Sequence, residues 1–184
     1  MPPRFRPIHA IGVVNLARLT RTDWLLPTAL MACCELGHEI TEGFAREDGT
    51  RETLSLADLG RCFAGKTRLA EANVATMHAV FAQDVAECCQ HPGRCKYVLR
   101  KLLNALLADV ALAKSMQWYE SWQPFVDRVD SGRELCWRCY RMVTETRQET
   151  QEAEIFCKLP EMMGVEVEGW AEESKKKRAS SNAA

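Results

Sequence analysis

The sequence predicts an all-α protein, an irregular bundle of about six or seven helices followed by a disordered C-terminal tail. Over most of the chain, apolar residues recur at spacings of three or four, which is the period of an amphipathic helix. No alternation of apolar and polar residues is long enough to predict a sheet. The chain has 184 residues, of which 47% are hydrophobic, and a chain of this length can bury a substantial core.

A pair of helices is predicted at the start of the chain, within residues 8–36. Residues 9–20 carry a broad apolar face, and a polar turn separates them from a second helix over residues 24–36. Asp23 precedes the second helix as a capping residue, and Pro27 falls in its first turn, where a missing N–H costs least. We therefore expect a helical hairpin.

The next segment combines a polar loop with a helix start. Residues 45–53 are polar and contain a turn signal, so we expect an exposed loop. Ser55 and Asp58 have the spacing of a capping box, which predicts that a helix begins there. We expect this helix to be short, and Gly65 to separate it from a longer helix that ends near residue 87.

The best-patterned helix follows the break at residues 91–93, and we expect it at the centre of the core. Its apolar seam consists of Leu99, Leu102, Leu103, Leu106, Val110 and Ala113. A short helix is predicted next from the spacing of Trp118, Trp122 and Phe125.

The last predicted helix covers residues 133–159, and Pro160 is expected to stop or bend it. Its second half is polar on every side, so we expect it either to project into solvent or to be held by pairs such as Arg147 with nearby glutamates. The final residues, 174–184, include Lys175-Lys-Lys-Arg178 and cannot bury a core, so we expect a disordered basic tail.

Composition excludes several classes of protein. The formal net charge is −1, which gives no overall attraction to nucleic acid, and we expect no nucleic-acid partner. We find neither an export signal nor a membrane span and expect a cytoplasmic or nuclear protein. The basic tail resembles a minimal nuclear-import signal, which leaves nuclear nucleic-acid association as a minor alternative.

Sequence motifs of enzymes are missing, so we expect a protein without catalytic activity. The four histidines are isolated, and no nucleotide-binding, serine-hydrolase or zinc-protease motif is present.

Nine cysteines carry the strongest signal of chemistry in this sequence. Because no export signal is found, a disulfide framework is not expected. One cluster is Cys88-Cys89-x5-Cys95, and the other is Cys136-x-x-Cys139. One cysteine of the adjacent pair, with the other three, offers the four thiolates that a tetrahedral structural zinc ion requires.

Other interpretations of the cysteines stay open from the residues alone. His91 lies between the two arms of the first cluster and could replace a thiolate. Cys136 and Cys139 could instead form the reactive pair of a thiol-based redox or metal sensor. The remaining possibility is that all of these cysteines only pack, as we expect for Cys33, Cys34, Cys62 and Cys157.

Several short motifs along the chain recur together in one group of proteins. They are Leu16-Ala17-Arg18, Leu25-Leu26-Pro27, Leu54-Ser55-Leu-Ala-Asp58, Arg61-Cys62, Gly65-Lys66, Arg94-Cys95, Leu135-Cys136 and Leu159-Pro160-Glu161-Met-Met-Gly164-Val165. Together they resemble the C-terminal part of fungal BTB/POZ-domain proteins of the mushroom-forming type.

This resemblance implies a fold, a metal and a kind of partner. It implies that residues 8–36 are the last helix pair of a BTB domain and that residues 54–170 form a post-BTB helical domain. It also implies that four cysteines recur as a set of zinc ligands, namely Cys89, Cys95, Cys136 and Cys139. BTB domains dimerise and can recruit cullin-type ubiquitin ligases, so the implied role is protein–protein interaction.

This sequence departs from the family pattern in its N-terminal part, because no strand of the BTB β-sheet core is predicted there. Without that core, the helix pair would expose apolar surface that a complete domain buries. We expect such a surface to bind a protein partner or to mediate self-association.

Overall fold

A computed structural model describes residues 6–108 and 120–170. The chain divides into two compact units. Unit 1 contains the described residues of Met1–Ala70 and of Phe156–Ala184, and unit 2 is Glu71–Ile155, without the segment 109–119. The predicted tail at 174–184, as well as Val110, Ala113 and Trp118, lies outside the described residues. Within the described residues the protein is all-α with one small hairpin, so the predicted fold class is confirmed.

Unit 1 begins with the predicted helix pair. Its elements are a 3₁₀ turn Pro7–His9, α1 Ala10–Thr20, a 3₁₀ turn Asp23–Leu25, α2 Leu26–Cys34, α3 Glu39–Glu42, and the strands β1 Phe44–Ala45 and β2 Arg51–Glu52. Helix α1 packs on α2 as a hairpin, as predicted. The buried residues that join them include Ile11, Val14, Ala17, Leu26, Leu30 and Cys33. Leu16 and Leu19 lie on the opposite face of α1 and are 55% and 82% exposed.

The polar segment after α3 is exposed, as predicted, but it is not without regular structure. Strands β1 and β2 pair antiparallel, with Phe44 opposite Glu52. Gly43 precedes β1 with φ +68°, and a Cβ atom there would collide with the carbonyl oxygen of Glu52. Only glycine therefore fits this position.

The predicted capping box opens α4 (Leu56–Val80). The backbone N–H of Asp58 donates to Ser55 Oγ at 3.1 Å. The Asp58 carboxylate is buried and forms ion pairs with Arg18 at 2.7 Å and with Arg61 at 3.2 Å. Burial alone would raise the pKa of Asp58, but the hydrogen bonds and charge of Arg18, together with Ser55 and Arg61, lower it below its usual value.

Helix α4 corrects the prediction of two helices separated at Gly65. The helix is continuous and ends at Val80, earlier than residue 87. Gly65 is buried against Met163, and a Cβ atom added there would lie 2.7 Å from Met163 Cε. This glycine therefore allows a close contact between two segments and does not end the helix.

Of the two outcomes predicted for Pro160, a stop and a bend, the stop does not occur. The last helix, α8 (Gln148–Met163), contains Pro160 and continues for almost a turn beyond it. It is followed by Gly164, which has φ +63°, a conformation typical of the residue after a helix C-terminus. The pyrrolidine ring removes one N–H, but the following residues still form a turn, in which Val165 N–H donates to the Pro160 carbonyl at 3.0 Å.

Unit 2 is built around α5 (Pro92–Ala108), as the apolar seam predicts. It also contains the end of α4, α6 Gln123–Val129, α7 Trp137–Arg141, a π-helical segment Met142–Arg147 and the start of α8. Its fully buried residues include Val80, Phe81, Val98, Leu99, Leu102, Leu106, Trp122, Val126 and Val143. The rings of Phe81 and Trp122 pack edge to face at 5.3 Å. The last helix was predicted to begin at residue 133. In the structure residues 130–136 form a loop, and helix begins at Trp137.

Candidate metal centre

Four cysteine sulfurs of unit 2 meet in space. The Sγ atoms of Cys89, Cys95, Cys136 and Cys139 all lie within 4.8 Å of one another. Cys89 Sγ lies 3.7 Å from Cys136 Sγ and 3.6 Å from Cys139 Sγ. Zinc–sulfur bonds of about 2.3 Å at tetrahedral angles would separate the sulfurs by about 3.8 Å. A disulfide would require about 2.05 Å, and all four thiols are free.

Three of the four cysteines lie at helix starts. Cys95 is in the first turn of α5, where its N–H donates to the His91 carbonyl at 3.0 Å. Cys136 is the N-cap residue of α7, and Cys139 lies within that helix. Cys95 and Cys139 are buried, whereas Cys136 is half-buried. Cys136 and Cys139 therefore lie at the start of one helix.

The fourth cysteine lies on the loop between α4 and α5. Its N–H donates to the Ala86 carbonyl at 3.1 Å, which turns the chain before Cys89. Cys88 adopts φ +58°, the left-handed region that side chains other than glycine rarely occupy, and is exposed. His91 is also exposed and is not part of the sulfur group. The structure thus selects Cys89 from the alternatives that the sequence leaves open.

Arg147 holds the loop that carries Cys89. Its guanidinium donates to the carbonyl oxygens of Val80 at 3.0 Å, Ala82 at 2.7 Å and Asp84 at 2.8 Å. Burial lowers the pKa of Arg147, although it stays cationic. The predicted pairing of Arg147 with glutamates is wrong: this side chain binds carbonyls that α4 and the following loop would otherwise leave without partners.

Asp130 shapes the loop that leads to Cys136. It is buried, and its carboxylate accepts hydrogen bonds from the backbone N–H groups of Glu134 at 2.9 Å and Leu135 at 3.1 Å. Within the same loop, Arg133 adopts φ +49°. Both segments that carry sulfurs therefore contain a left-handed residue close to a cysteine of the group.

Backbone N–H groups also point at the sulfurs. The N–H of Ala86 donates to Cys139 Sγ at 3.5 Å, and the N–H of Cys136 donates to Cys95 Sγ at 3.4 Å. Such hydrogen bonds stabilise negative charge on sulfur, as required of a thiolate ligand. They come from the backbone, so the identities of the donor residues carry no signal in the sequence.

The pKa values of Cys95, Cys136 and Cys139 shift in different directions because these thiols share one small volume. Burial opposes ionisation of Cys136, but hydrogen bonds from the Cys139 N–H and from the neighbouring thiols lower the pKa of Cys136 to about 7. Burial raises the pKa of Cys95 and of Cys139. Adjacent negative charges repel, so a bound divalent cation is what would allow all four groups to be thiolates at neutral pH.

Unit 1 contains a separate set of packed cysteines. Cys33, Cys34 and Cys62 are buried, and Cys34 Sγ donates to the Leu30 carbonyl at 3.2 Å. A hydrogen bond with Cys33 is the main cause that raises the pKa of Cys62 to about 12. These three thiols are buried and fill core space, as expected from the sequence.

Comparison with known proteins identifies no relative. No family model matches the chain, and no curated protein or solved structure is significantly similar to it. The resemblance to fungal BTB/POZ proteins therefore stays a prediction. No helix among residues 6–108 and 120–170 has the length and hydropathy to cross a membrane.

Proposed function

We propose that this chain is a non-enzymatic protein–protein interaction module whose unit 2 is held together by a structural zinc ion. The observation that carries the proposal is the convergence of Cys89, Cys95, Cys136 and Cys139 to within 4.8 Å. These cysteines come from two segments, and Cys89 and Cys136 are 47 residues apart in sequence. A metal ion would cross-link these segments and contribute its binding free energy to folding.

The donor set fits zinc in a structural role. Four thiolates complete a tetrahedral coordination shell, so no position is left for water or substrate. Thiolates are also soft ligands, which favour zinc over magnesium or calcium. A closed site of this kind supports a protein without catalytic activity. Free thiols and thiolate ligands suit the reducing conditions of the cytoplasm or nucleus.

The interaction role is supported by surface residues of unit 1 and by the predicted resemblance. Leu16, Leu19 and Trp24 are large apolar side chains of the helix pair, and each is more than half exposed. They are suited to a protein partner or to self-association. Protein–protein interaction is also the role implied by the resemblance to BTB/POZ proteins.

A second candidate function is a thiol-based redox or metal sensor that uses Cys136 and Cys139. The observation that favours it is the lowered pKa of Cys136, about 7, since a thiolate is the reactive form of cysteine. This function predicts metal-free protein with fast and reversible modification of Cys136 and Cys139. Slow alkylation of both thiols in the native protein would exclude it.

Hydrogen exchange before and after chelation tests the structural role of the metal. We expect a strong chelator to abolish amide protection within Glu71–Ile155, and added zinc to restore it. Amides at the α1–α2 contact serve as the internal control, because their core contains none of the four cysteines. Unchanged protection of unit 2 after complete chelation would contradict the proposal.

A further inference from the structure

Positive charge is concentrated in the two segments that flank the cysteine sulfurs. Residues 91–101 contain four cationic side chains and no carboxylate, and residues 133–141 contain three cationic side chains and one carboxylate. The whole chain, in contrast, has a net charge of −1. Six of these cations form the surface considered below. They are Arg94, Lys96, Arg100, Lys101, Arg138 and Arg141, and all six are exposed.

An exposed tryptophan lies among these cations. Trp137 is 60% exposed, and the guanidinium groups of Arg138 and Arg141 lie 5.5 Å and 5.9 Å from the centre of its ring. Trp137 and Arg141 are four residues apart on α7 and share its outer face, opposite Cys139. Tryptophan and arginine are the residue types enriched at the energetic centres of protein interfaces.

The metal centre places the two cationic segments side by side. Cys95 lies between Arg94 and Lys96, while Cys136 and Cys139 enclose Trp137 and Arg138 in sequence. The sulfurs of these cysteines lie within 4.8 Å of one another. Arg94 and Lys96 lie in the first two turns of α5, and Arg100 and Lys101 follow in its third turn. Trp137, Arg138 and Arg141 lie on α7. We call these six cations and Trp137 the basic face.

We propose that the basic face is a docking surface for an acidic protein segment rich in glutamate or aspartate. The proposal rests on the proposed function, since it names the partner that unit 2 recognises and gives the metal the role of holding the face in shape. Arginine forks bind carboxylates with two parallel hydrogen bonds, and Trp137 supplies a large apolar contact beside them.

An acidic peptide fits this surface better than a nucleic acid does. Single-stranded nucleic acid is bound along extended cationic grooves in which bases stack on open aromatic faces. Here the cations lie on only two helices, α5 and α7, and the guanidinium groups of Arg138 and Arg141 already lie within 6 Å of the ring centre of Trp137. A long polyanion would also meet the carboxylates elsewhere on a chain of net charge −1, whereas a short acidic segment would not.

The test compares two charge-reversal variants of the full zinc-loaded protein. Lys96→Glu with Arg138→Glu alters the basic face, and Lys66→Glu with Lys158→Glu makes the same change of charge at exposed sites of unit 1. Anisotropy of a labelled glutamate-rich peptide measures binding. We expect the first variant to weaken binding by at least about tenfold and the control to leave it almost unchanged.

Two further probes make the result specific. A glutamine peptide of the same length should not bind, and an oligothymidylate of equal charge should bind more weakly than the glutamate peptide. Equal weakening by both charge-reversal variants, absence of peptide binding, or tighter binding of the oligothymidylate would overturn the docking proposal. Zinc is measured in every sample, because protein without zinc contradicts the structural metal, whereas zinc-loaded protein without peptide binding contradicts the docking surface alone.

Discussion

Cys88 and Cys89 are adjacent and differ in role, although the sequence alone allows either of them to be a ligand. Cys89 contributes a sulfur to the group, whereas Cys88 is exposed and adopts a left-handed conformation. That conformation disfavours a side chain other than glycine, so the turn at Cys88 is held by the surrounding structure. Replacing Cys88 or Cys89 by serine makes the same chemical change. A difference between the two variants therefore reports only the position of each sulfur.

We expect Cys89→Ser to remove tight metal binding and Cys88→Ser to preserve it. Loss of a ligand should cost more than the 10–100-fold in affinity that is typical of losing an outer contact. Cobalt substitution provides the measurement, since thiolate-to-cobalt charge transfer reports the number of bound sulfurs. Equal loss in the two variants would place Cys88 in the centre and contradict the site.

Asp58 is the other residue whose environment predicts a measurable effect. Its buried carboxylate pairs with Arg18 and Arg61, both of which remain partly exposed, so part of the attraction is screened by solvent. We expect Asp58→Asn to lower the free energy of unfolding by about 1–3 kcal/mol. Urea unfolding measures this cost, with the exposed Glu47→Gln as the control.

The pH dependence of the same pair has a defined sign. The folded-state pKa of Asp58 is lower than its unfolded value, so its contribution is complete above the unfolded pKa and is lost as pH falls through the folded pKa. The difference in unfolding free energy between the parent protein and Asp58→Asn should therefore shrink in acid. A difference that stays constant down to the lowest pH of reversible folding would contradict the ion pairs.

At the scale of elements, α4 offers a matched pair of glycines. Alanine at exposed Gly60 meets no atom within 4 Å and should gain about 1 kcal/mol of helix stability. Alanine at Gly65 would place Cβ 2.7 Å from Cε of the fully buried Met163, and such overpacking costs about 1–3 kcal/mol. We expect Gly65→Ala to be the less stable variant in thermal unfolding, and equal stability would contradict the close contact.

Arg147 links the end of α4 to the metal centre. Arg147→Met keeps most of the apolar stem but removes three hydrogen bonds to carbonyls, so we expect a loss of about 1.5–3 kcal/mol in unfolding free energy. Because these carbonyls belong to the loop before Cys89, zinc affinity measured by chelator competition should also fall. The control is Arg141→Met, which loses an exposed pair with Glu145 and the contact of its guanidinium with the exposed Trp137 ring, but no hydrogen bond to the loop before Cys89. An unchanged zinc affinity in Arg147→Met would contradict the claim that the hydrogen bonds of Arg147 position the cysteine ligands.

The elements show which features the sequence could predict. Three features follow from local period and capping chemistry and are present: the hairpin of α1 and α2, the helix start capped by Ser55, and the described part of the α5 seam. Gly65 was predicted to end a helix because its contact with Met163 depends on a segment almost a hundred residues away, which no local pattern shows.

The candidate metal centre could be predicted only in part. Its ligands form local sequence patterns, whereas the contacts that position them join distant segments. Cysteine clusters suggest ligands from their spacing, and the predicted resemblance named the four that converge. Arg147 bonds to carbonyls 63–67 residues away and has no sequence signal. Asp130 precedes Ser131 and Gly132, a composition typical of turns, so that signal could have identified the loop but not its hydrogen bonds.

At the scale of the whole molecule, the two units differ in how they are stabilised. Unit 1 has a continuous apolar core with buried thiols that only pack, whereas unit 2 combines its core with the four converging sulfurs. The predicted boundaries at 8–36 and 54–170 stay a prediction, since compactness divides the described chain after Ala70 and after Ile155. Metal dependence is accordingly expected to belong to unit 2.

The central claim is tested most directly by zinc content per chain, measured together with the number of reactive thiols under reducing conditions. We predict one zinc ion per chain, with Cys89, Cys95, Cys136 and Cys139 protected from alkylation until a chelator is added. Exposed Cys88, in contrast, should react at once. Protein without zinc after reconstitution, with those four thiols as reactive as Cys88, would contradict the account.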